Sequence, residues 1–400
     1  MTCSMVRRGA RVLALLAAAV SLGGCGIMNW IHGGPSNLEP PAKLHHFAAE
    51  YRVRQVWSAD IGGGAGAKFI RLSPVLHDNV LYVAEPHGRV RAYDASTGRR
   101  QWGRNLKDTE IEGGTGYADG RVLLGTRSGA VIALNAKDGA TLWSSTVSSE
   151  VLAPPRGSAG VVVVQTVDGS IFGLDASSGK RLWMQEHAVP SLSLRGTSTP
   201  LIVENVVVTG LANGKIAAYR LADGHQLWEI PVSQPHGRNE LARLTDVDTP
   251  PVVSGGTLYA DAYHGKLVAF NLASGRIQWS RDVSAYAGMA VDANNVYISD
   301  EYGNVMAFDL ATGASVWKQT GLHGRWPTAP VVIGDTVAVG DFHGYVHFLS
   351  VDDGRFVARY HLGSSAILAT PVAGAETLYV ADQDGDVAAL RLKARNRSMP

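Results

Sequence analysis

The chain has 400 residues, of which 46% are hydrophobic and 18% are charged, a balance typical of a globular protein with a large core. Its formal net charge is +1, and residues 1–24 hold three arginines and no acidic residue. The remainder has 33 basic and 35 acidic residues, a net charge of −2. This balance excludes the basic footprint of a nucleic-acid-binding protein.

Residues 1–24 are predicted to be a lipoprotein signal peptide. An apolar run over residues 12–20, too short for a permanent membrane span, follows the arginines and ends in Leu22-Gly23-Gly24-Cys25. This ending resembles the bacterial lipobox, which implies a lipid anchor on Cys25; ordinary secretory cleavage near Gly24 is the alternative. Position 26 is glycine rather than aspartate. By resemblance to lipoprotein sorting, this implies the outer membrane, with the protein on its periplasmic face.

Three further segments follow in chain order. Residues 25–50 are predicted to be a lipidated flexible tether because they are rich in glycine and proline, residues 51–393 one repeat domain, and residues 394–400 a C-terminal tail. The glycine-rich stretch Gly62–Lys68 looks at first like a phosphate-binding loop. Phe69 stands where such a loop has serine or threonine, and no helix follows, so a simple connection is the better interpretation.

A glycine register with a period of about 40 residues organises the rest of the chain. Each copy has an opening glycine, a second glycine ten residues later and a tryptophan slot fourteen residues after the first. The seven opening glycines are Gly88, Gly129, Gly169, Gly214, Gly265, Gly303 and Gly344. The slots hold Trp102, Trp143, Trp183, Trp228, Trp279, Trp317 and Ala358. An eighth copy opens at Gly385 and has Arg395 at the second glycine.

Within each copy, β-branched and aromatic runs flank the opening glycine, as in Val80–Ala84 and Arg89–Tyr93. Pairs such as His87-Gly88 predict two-residue hairpins of the primed type. Four short antiparallel strands repeated eight times predict an all-β, eight-bladed β-propeller; an open solenoid is the alternative. The last copy lacks a tryptophan strand, and the strand ending in Trp57 lacks a preceding copy. We therefore expect this N-terminal strand to complete the C-terminal blade and close the ring.

Two consecutive intervals between blades are stretched. Most tryptophan slots lie 24 to 27 residues before the next opening glycine, whereas the interval is 31 after Trp57 and Trp183 and 37 after Trp228. The loops after Trp183 and Trp228 should project side by side from one face of the ring, where binding sites favour loops on a rigid scaffold.

These two loops carry the candidate site residues Leu192, Leu194, Arg195, Asp246 and Asp248. A mixed apolar and charged patch suits protein recognition. The leucines could equally begin a core strand, with Arg195 paired internally to one of the aspartates. A calcium site at the aspartates is a third interpretation, although two carboxylates are few ligands for that ion.

The residues supply little evidence of catalysis. The histidines form no known metal-binding spacing, and His343 and His347, on either side of a turn, are at most a weak metal signal. His87, His264 and His343 recur at one slot and are best interpreted as turn residues. Only Cys3 and Cys25 are cysteines, and no nucleophile with an adjacent base is evident, so the sequence predicts no catalytic residue, cofactor or metal.

The repeat Ala92–Gly98 through Trp102 resembles the blade motif of quinoprotein alcohol dehydrogenases and their non-enzymatic relatives. The whole chain more specifically resembles the scaffold lipoproteins of the bacterial outer-membrane β-barrel assembly (BAM) machinery. The motifs that carry this resemblance are Glu39–Leu44, Ser191–Gly196, Gly237–Glu240, Asp246–Asp248 and Val339–Tyr345.

The resemblance implies a non-enzymatic scaffold, attached by lipid to the periplasmic face of the outer membrane. Its partners would be the POTRA domains of the barrel-inserting subunit, other BAM lipoproteins indirectly, and unfolded outer-membrane proteins as clients. It also implies that the partner-binding residues are Leu192, Leu194, Arg195, Asp246 and Asp248. A quinone-dependent dehydrogenase, which the shared repeat suggests, and a carbohydrate-binding propeller using Trp326 or Tyr345 are the alternatives.

Overall fold

The computed structural model describes residues 40–64, 69–234 and 244–395. The chain divides into two units, Met1–Pro41 and Ala42–Pro400, and only residues 40 and 41 of the first are described, so the account below concerns the second. Over the described ranges, no helix is long and apolar enough to cross a membrane.

Every blade is a four-stranded antiparallel sheet. Blade 1 contains β2 (Val75–His77), β3 (Val80–Ala84), β4 (Arg89–Asp94) and β5 (Arg100–Asn105). Blade 2 contains β6 (Ile111–Ala118), β7 (Arg121–Thr126), β8 (Ala130–Asn135) and β9 (Thr141–Thr146). Blade 3 contains β10 (Arg156–Ser158), β11 (Val161–Gln165), β12 (Ser170–Asp175) and β13 (Arg181–Glu186). Blade 4 contains β14 (Leu201–Val203), β15 (Val206–Gly210), β16 (Lys215–Arg220) and β17 (Gln226–Pro231).

The second half of the ring repeats this order. Blade 5 contains β18 (Val252–Ser254), β19 (Thr257–Asp261), β20 (Lys266–Asn271) and β21 (Ile277–Asp282). Blade 6 contains β22 (Ala285–Val291), β23 (Asn295–Asp300), β24 (Val305–Asp309) and β25 (Ser315–Gln319). Blade 7 contains β26 (Val331–Ile333), β27 (Thr336–Gly340), β28 (Tyr345–Ser350) and β29 (Phe356–His361). Blade 8 contains β30 (Val372–Ala373), β31 (Leu378–Ala381), β32 (Asp386–Ala394) and β1 (Tyr51–Asp60).

The first strand of a blade is the inner one, since first strands of several neighbouring blades contact each other. The fourth strand forms the outer rim and exposes most of its residues. The middle strands are almost entirely buried, and the core consists of apolar clusters packed between successive blades. The predicted eight-bladed β-propeller is confirmed. We call the face that carries the loops between blades, together with the hairpins between second and third strands, the loop face.

The N-terminal strand closes the ring as predicted. Strand β1 pairs antiparallel with β32 over its full length, and Trp57 lies opposite Ala389 after a bulge at Val56. Every other outer strand has the same bulge just before its tryptophan slot, as Trp102 shows opposite Ala92. The first strand in the sequence is therefore a regular outer strand of the last blade.

The glycine and tryptophan of the register meet between blades. The indole of a tryptophan in this register donates its Nε1–H to a main-chain carbonyl of the next blade, as from Trp102 to Ala136 over 2.8 Å. A Cβ atom at Gly139 would lie only 2.6 Å from the Trp102 ring. The residues that repeat the hydrogen bond are Trp57, Trp102, Trp143, Trp183, Trp279 and Trp317. The second glycine is thus required by the tryptophan of the preceding copy.

Two junctions depart from this pattern. A Cβ at Gly275 would meet Ile230 at 2.4 Å rather than the indole of Trp228. At the other junction, Ala358 fills the tryptophan slot of blade 7, and the glycine against which an indole would pack is replaced by Arg395 in blade 8. A missing tryptophan and a missing glycine coincide at the junction where β32 and β1 pair without a turn that joins them.

The predicted hairpin type was wrong. In blade 1 the N–H of Gly88 donates to the carbonyl of Glu85, and Glu85 pairs with Arg89, which makes a three-residue loop. Positive φ falls on the glycine, 89° at Gly88, while only His264 among the residues before these glycines has a positive φ. A type I turn followed by a left-handed glycine needs a single positive φ, so histidine, serine or tyrosine before it is tolerated.

Residues 42–50, placed in the tether by the sequence, lie along blade 7, and we call them the strap. The N–H of Ala42 donates to the carbonyl of His323 on the loop face, and the N–H of Glu50 to that of Val357 in β29. Between them, Phe47 packs against Phe356 with ring centroids 5.7 Å apart. Burial of apolar side chains explains why this part of the predicted tether is ordered against the ring.

Candidate functional site

The two stretched loops lie next to each other on the loop face. One joins β13 to β14 (residues 187–200) and the other joins β17 to β18 (residues 232–251, described except for 235–243). The hydroxyl of Ser198 in the first loop donates to the carbonyl of Thr249 in the second over 2.8 Å. The loops therefore support each other rather than extending independently into solvent.

Asp246 is buried and holds the main chain of the first loop, residues 187–200, by a hydrogen bond. Only 2% of it is exposed, and its Oδ2 accepts a hydrogen bond from the main-chain N–H of Leu194. Burial raises the pKa of Asp246 to about 6, while the Leu194 amide opposes that shift. Its second oxygen, Oδ1, is buried with no hydrogen-bond partner in the described part of the chain. A side chain buried to this degree positions the loop and offers a partner no contact surface of its own.

Asp248 packs against the end of the same loop. A Cβ atom at Gly196 would lie 2.7 Å from its Oδ2, so glycine is needed at that position. Burial raises the pKa of Asp248 to about 7, the charge of Asp246 adds to the shift, and Arg71 opposes it. Proton uptake by Asp248, whose pKa is the higher of the two, relieves the repulsion between the carboxylates.

Arg195 is held by two carboxylates from other blades. Its Nη2 lies 2.7 Å from Oε2 of Glu112 in β6 and 3.2 Å from Oε2 of Glu150. The Glu112 side chain is only 3% exposed, whereas that of Arg195 is 55% exposed. The guanidinium therefore neutralises a buried charge and still presents donors to solvent. The interpretation that paired Arg195 with Asp246 or Asp248 was wrong.

The two leucines differ in exposure. Leu192 is 42% exposed on the loop face, and Leu194 is half-buried. Leu194 lines a cleft of about 280 Å³ between blades 3 and 4, together with Val189, Leu211 and Arg195. The Oγ1 atom of Thr197, which also lines the cleft, is buried and has no partner among the described residues. The surface thus combines an exposed leucine, an open cleft lined by both polar and apolar residues, and a fixed guanidinium.

Sequence reasoning missed Glu112 and Glu150. Both lie in regions of regular blade spacing, where nothing in the register marks them. The signal that could have found Glu112 is an acidic side chain in an otherwise buried inner strand, Ile111–Ala118, because such a charge requires a partner.

The other candidates from the sequence have structural partners. His347 is fully buried; its Nδ1 accepts a hydrogen bond from Nε of Arg359 and its Nε2 lies 2.9 Å from Oδ2 of Asp341, so it belongs to a buried hydrogen-bond network, and burial lowers its pKa. The turn histidines His87 and His264 lie 3.0 and 3.4 Å from carboxylates of Glu85 and Glu301. Within the described ranges, no group of three or more histidine, cysteine, aspartate or glutamate residues is arranged to hold a metal ion.

Trp326, proposed as a glycan contact, is 43% exposed and lies between Phe69 and Phe342, with centroids 5.6 and 6.0 Å away. Tyr345 stacks on His361 at 4.1 Å and is half-buried. Cys25, most of Gly62–Lys68 beyond its first glycines, and the motif Gly237–Glu240 lie outside the described residues.

The fold and the loop face together define an eight-bladed β-propeller with two long, mutually supporting loops between blades. The sequence profile of the family described as "Outer membrane protein assembly factor BamB" matches residues 53–109 and 86–319. The chain belongs to the BamB family, and the resemblance inferred from the loop motifs is confirmed.

The sequences of related proteins align with this chain over nearly its full length. The outer membrane protein assembly factor BamB of Salmonella typhimurium is 36% identical over 94% of this chain and 97% of its own. That of Escherichia coli is 34% identical over 93% and 96%. The crystal structure of BamB from Moraxella catarrhalis superposes with a TM-score of 0.77 at 32% identity, covering 85% of this chain and 100% of that one.

Dehydrogenase propellers share the fold alone. The quinohemoprotein alcohol dehydrogenase of Comamonas testosteroni superposes with a TM-score of 0.68 at 15% identity, covering 87% of this chain and 77% of the enzyme. The shared blade repeat therefore reflects architecture, and function must be argued from the site.

Proposed function

We propose that this protein is a non-catalytic scaffold of the outer-membrane β-barrel assembly machinery, anchored by a lipid on Cys25 to the periplasmic face of the outer membrane. Its loop face binds POTRA domains of the barrel-inserting subunit BamA, and it reaches the other BAM lipoproteins through that subunit. The observation that carries the proposal is the guanidinium of Arg195, fixed between Glu112 and Glu150 beside the exposed Leu192.

This arrangement suits a protein partner because it is organised before binding. Arginine is one of the residue types that supply most of the binding energy in interfaces, and fixing its side chain beforehand reduces the entropy lost on association. Glu112 and Glu150 fix the arginine from one side, and Asp246 fixes the main chain at Leu194. An acidic or carbonyl-rich edge of the partner would accept hydrogen bonds from the N–H groups of Arg195 that face solvent.

Binding of a purified POTRA-domain fragment of BamA to the full mature chain tests the site. We expect Arg195→Ala to weaken the complex at least tenfold, which corresponds to about 1.4 kcal/mol. Arg220 is the matched control, since it is also about half exposed and pairs with an acid, Asp223, at 3.0 Å, but lies where β16 ends, away from the loop face. Arg220→Ala should change the affinity less than twofold. Equal affinities for Arg195→Ala and the unaltered chain would remove the proposed site.

The anchor is tested separately in cells. Cys25→Ser should abolish incorporation of labelled palmitate and release the chain from the outer-membrane fraction, whereas Cys3→Ser should change neither. Labelling that persists in Cys25→Ser would show that the chain is not anchored through this residue.

A further inference from the structure

A row of three exposed aromatic side chains forms a second surface on the loop face. Phe69 comes from the loop that joins β1 to β2, Trp326 from the loop that joins β25 to β26, and Phe342 from the hairpin between β27 and β28. They are 52%, 43% and 44% exposed, and Trp326 lies between the other two. Contiguous exposed apolar side chains mark binding sites, whereas single ones are ordinary. We call these three residues the aromatic row.

Trp326 is held in a strained conformation. Its φ is 53°, in the left-handed region where a bulky residue is rare. The neighbouring residue is fixed on both sides, since Nε of Arg325 lies 2.6 Å from Oδ2 of the buried Asp341, and the carbonyl of Arg325 accepts the N–H of Phe342 over 3.0 Å. Strain that the surrounding structure imposes on an exposed side chain favours a binding role for that side chain.

The geometry of the aromatic row favours a glycan chain. Phe69 and Phe342 are tilted by 58° and 49° from the Trp326 ring, so the row is not a flat platform. Successive sugars of a glycan chain in solution are likewise rotated relative to each other. Their C–H groups pack on the negative faces of aromatic rings. The centroid separations of 5.6 and 6.0 Å are close to the spacing of successive sugars in a β-1,4-linked chain.

A guanidinium lies beside the aromatic row. Phe69 and Arg71 are exposed and Ile70 between them is buried, so the aromatic ring and the guanidinium both face solvent. Nη1 of Arg71 donates to the carbonyl of Tyr286 over 3.0 Å, and the guanidinium lies 5.5 Å from the centroid of that ring. Within the described ranges, no carboxylate lies at ion-pair distance from Arg71. Its remaining N–H groups can therefore bind an anionic group of a ligand.

We propose that the aromatic row and Arg71 bind a β-1,4-linked glycan strand of peptidoglycan, with sugar rings against the aromatic rings and a carboxylate on the guanidinium. Alternate sugars of this polymer carry peptides with free carboxylates, which complement the charge of Arg71. The inference rests on the periplasmic location in the proposed function and does not require POTRA binding. Rings and a guanidinium that are already fixed lose little entropy when they bind a ligand.

Tryptophan emission of the mature chain tests the contact. Among the described tryptophans only Trp326 is exposed, so a ligand on its ring changes the emission against a constant background. The probe is soluble peptidoglycan strands with their peptides, released from purified peptidoglycan by partial muramidase digestion. We expect a saturable change, with about fivefold weaker binding of chitotetraose, a β-1,4-linked glycan without carboxylates. Emission unaffected by the peptidoglycan strands would overturn the inference.

Variants test the residues by co-sedimentation with purified peptidoglycan. Trp326→Gly removes the ring and also relieves the backbone strain, so the chain should unfold at no lower denaturant concentration. It should bind about tenfold more weakly. Arg71→Gln should bind about fivefold more weakly and lose the preference over chitotetraose. The control, Ile277→Ala, alters an apolar residue of the outer strand β21 that is also exposed, and should change binding less than twofold. Equal binding by Trp326→Gly and the unaltered chain would contradict the proposal.

The POTRA-domain fragment separates this site from the loop-face site. Trp326→Gly should leave POTRA affinity unchanged, and Arg195→Ala should leave peptidoglycan binding unchanged. If Trp326→Gly instead weakens POTRA binding and keeps peptidoglycan binding, the aromatic row is a protein contact and the inference is wrong. A failure of the proposed function has a different result, namely that Arg195→Ala keeps full POTRA affinity.

Discussion

The indole Nε1–H of Trp57 donates a hydrogen bond to the main-chain carbonyl of Ala95 over 2.8 Å, and this bond links the last blade to the first. The same bond joins neighbouring blades elsewhere in the ring. Gly98 lies beneath the Trp57 indole as Gly139 lies beneath that of Trp102. The junction that closes the ring is thus built like the junctions within it.

Gly98→Ala should destabilise the ring at this junction. The new Cβ would lie 2.6 Å from the Trp57 ring, and φ at Gly98 is 72°. Overpacking and backbone strain together should lower the free energy of unfolding by about 2–4 kcal/mol. Gly120→Ala is the control, because φ is 77° there and nothing lies within 4 Å of the new Cβ. It should cost about 1 kcal/mol. Guanidinium unfolding measures both, and equal losses would show that the indole contact contributes nothing.

Asp246 should be replaceable by asparagine but not by alanine. Asparagine keeps an oxygen for the Leu194 amide, whereas alanine leaves that N–H without its acceptor. We expect Asp246→Ala to raise hydrogen exchange at Leu194 at least tenfold and to weaken POTRA binding. Asp246→Asn should retain most of both properties. If the two variants bind equally weakly, the carboxylate itself contacts the partner.

The aspartates also predict a pH dependence of stability. The pKa values of Asp246 and Asp248 rise to about 6 and 7 in the fold, above the ordinary value of 3.8. Between pH 4 and 7 the folded chain therefore binds more protons than the unfolded chain, so their contribution to stability falls as pH rises. Between pH 5 and 8 the free energy of unfolding should fall by about 4 kcal/mol relative to Asp246→Asn/Asp248→Asn. Parallel curves for the two proteins would contradict this origin.

The ion-pair network of blade 7 should be important for stability. Asp341 is fully buried, and its Oδ2 lies 2.6 Å from Nε of Arg325 and 2.9 Å from Nε2 of His347. Burial alone would raise the pKa of Asp341, but His347, the Tyr345 amide and Arg325 hold it at about 2. Asp341→Ala leaves a buried cation unpaired and should cost about 3–5 kcal/mol.

The control for this network is Asp353→Ala in the same blade. Asp353 pairs with Arg355 at 2.7 Å, but both side chains are about half exposed. Its loss should cost less than about 1 kcal/mol because solvent screens the pair. The same denaturation assay compares the two variants, and a similar cost for both would mean that burial does not decide the strength of these pairs.

Much of the fold could be predicted from the sequence because local rules are repeated. A left-handed turn needs glycine, and a wide gap between sheets needs a large side chain. Glycines such as Gly98 and tryptophans such as Trp102 therefore recur in register along the chain. The hairpin type was predicted wrongly because histidine before Gly88 is compatible with more than one loop length. The strap was missed because the apolar character of Leu44 and Phe47 is too sparse to indicate packing.

The candidate site was predictable only in outline. Stretched intervals located the two loops, since an insertion interrupts a period wherever it occurs. The separate roles of Asp246, which is buried, and Leu192, which is exposed, depend on which side of a loop faces the ring. Spacing in the sequence does not specify that orientation.

The sequence by itself determined the ring of eight blades, its closure by the N-terminal strand and the place of the long loops. Each of these depends on contacts that a fixed period repeats. Only the tertiary structure decided that Arg195 pairs with Glu112, 83 residues away, and that the strap covers Val357. Those contacts occur once each, between segments brought together by closing the ring, and no local pattern encodes them.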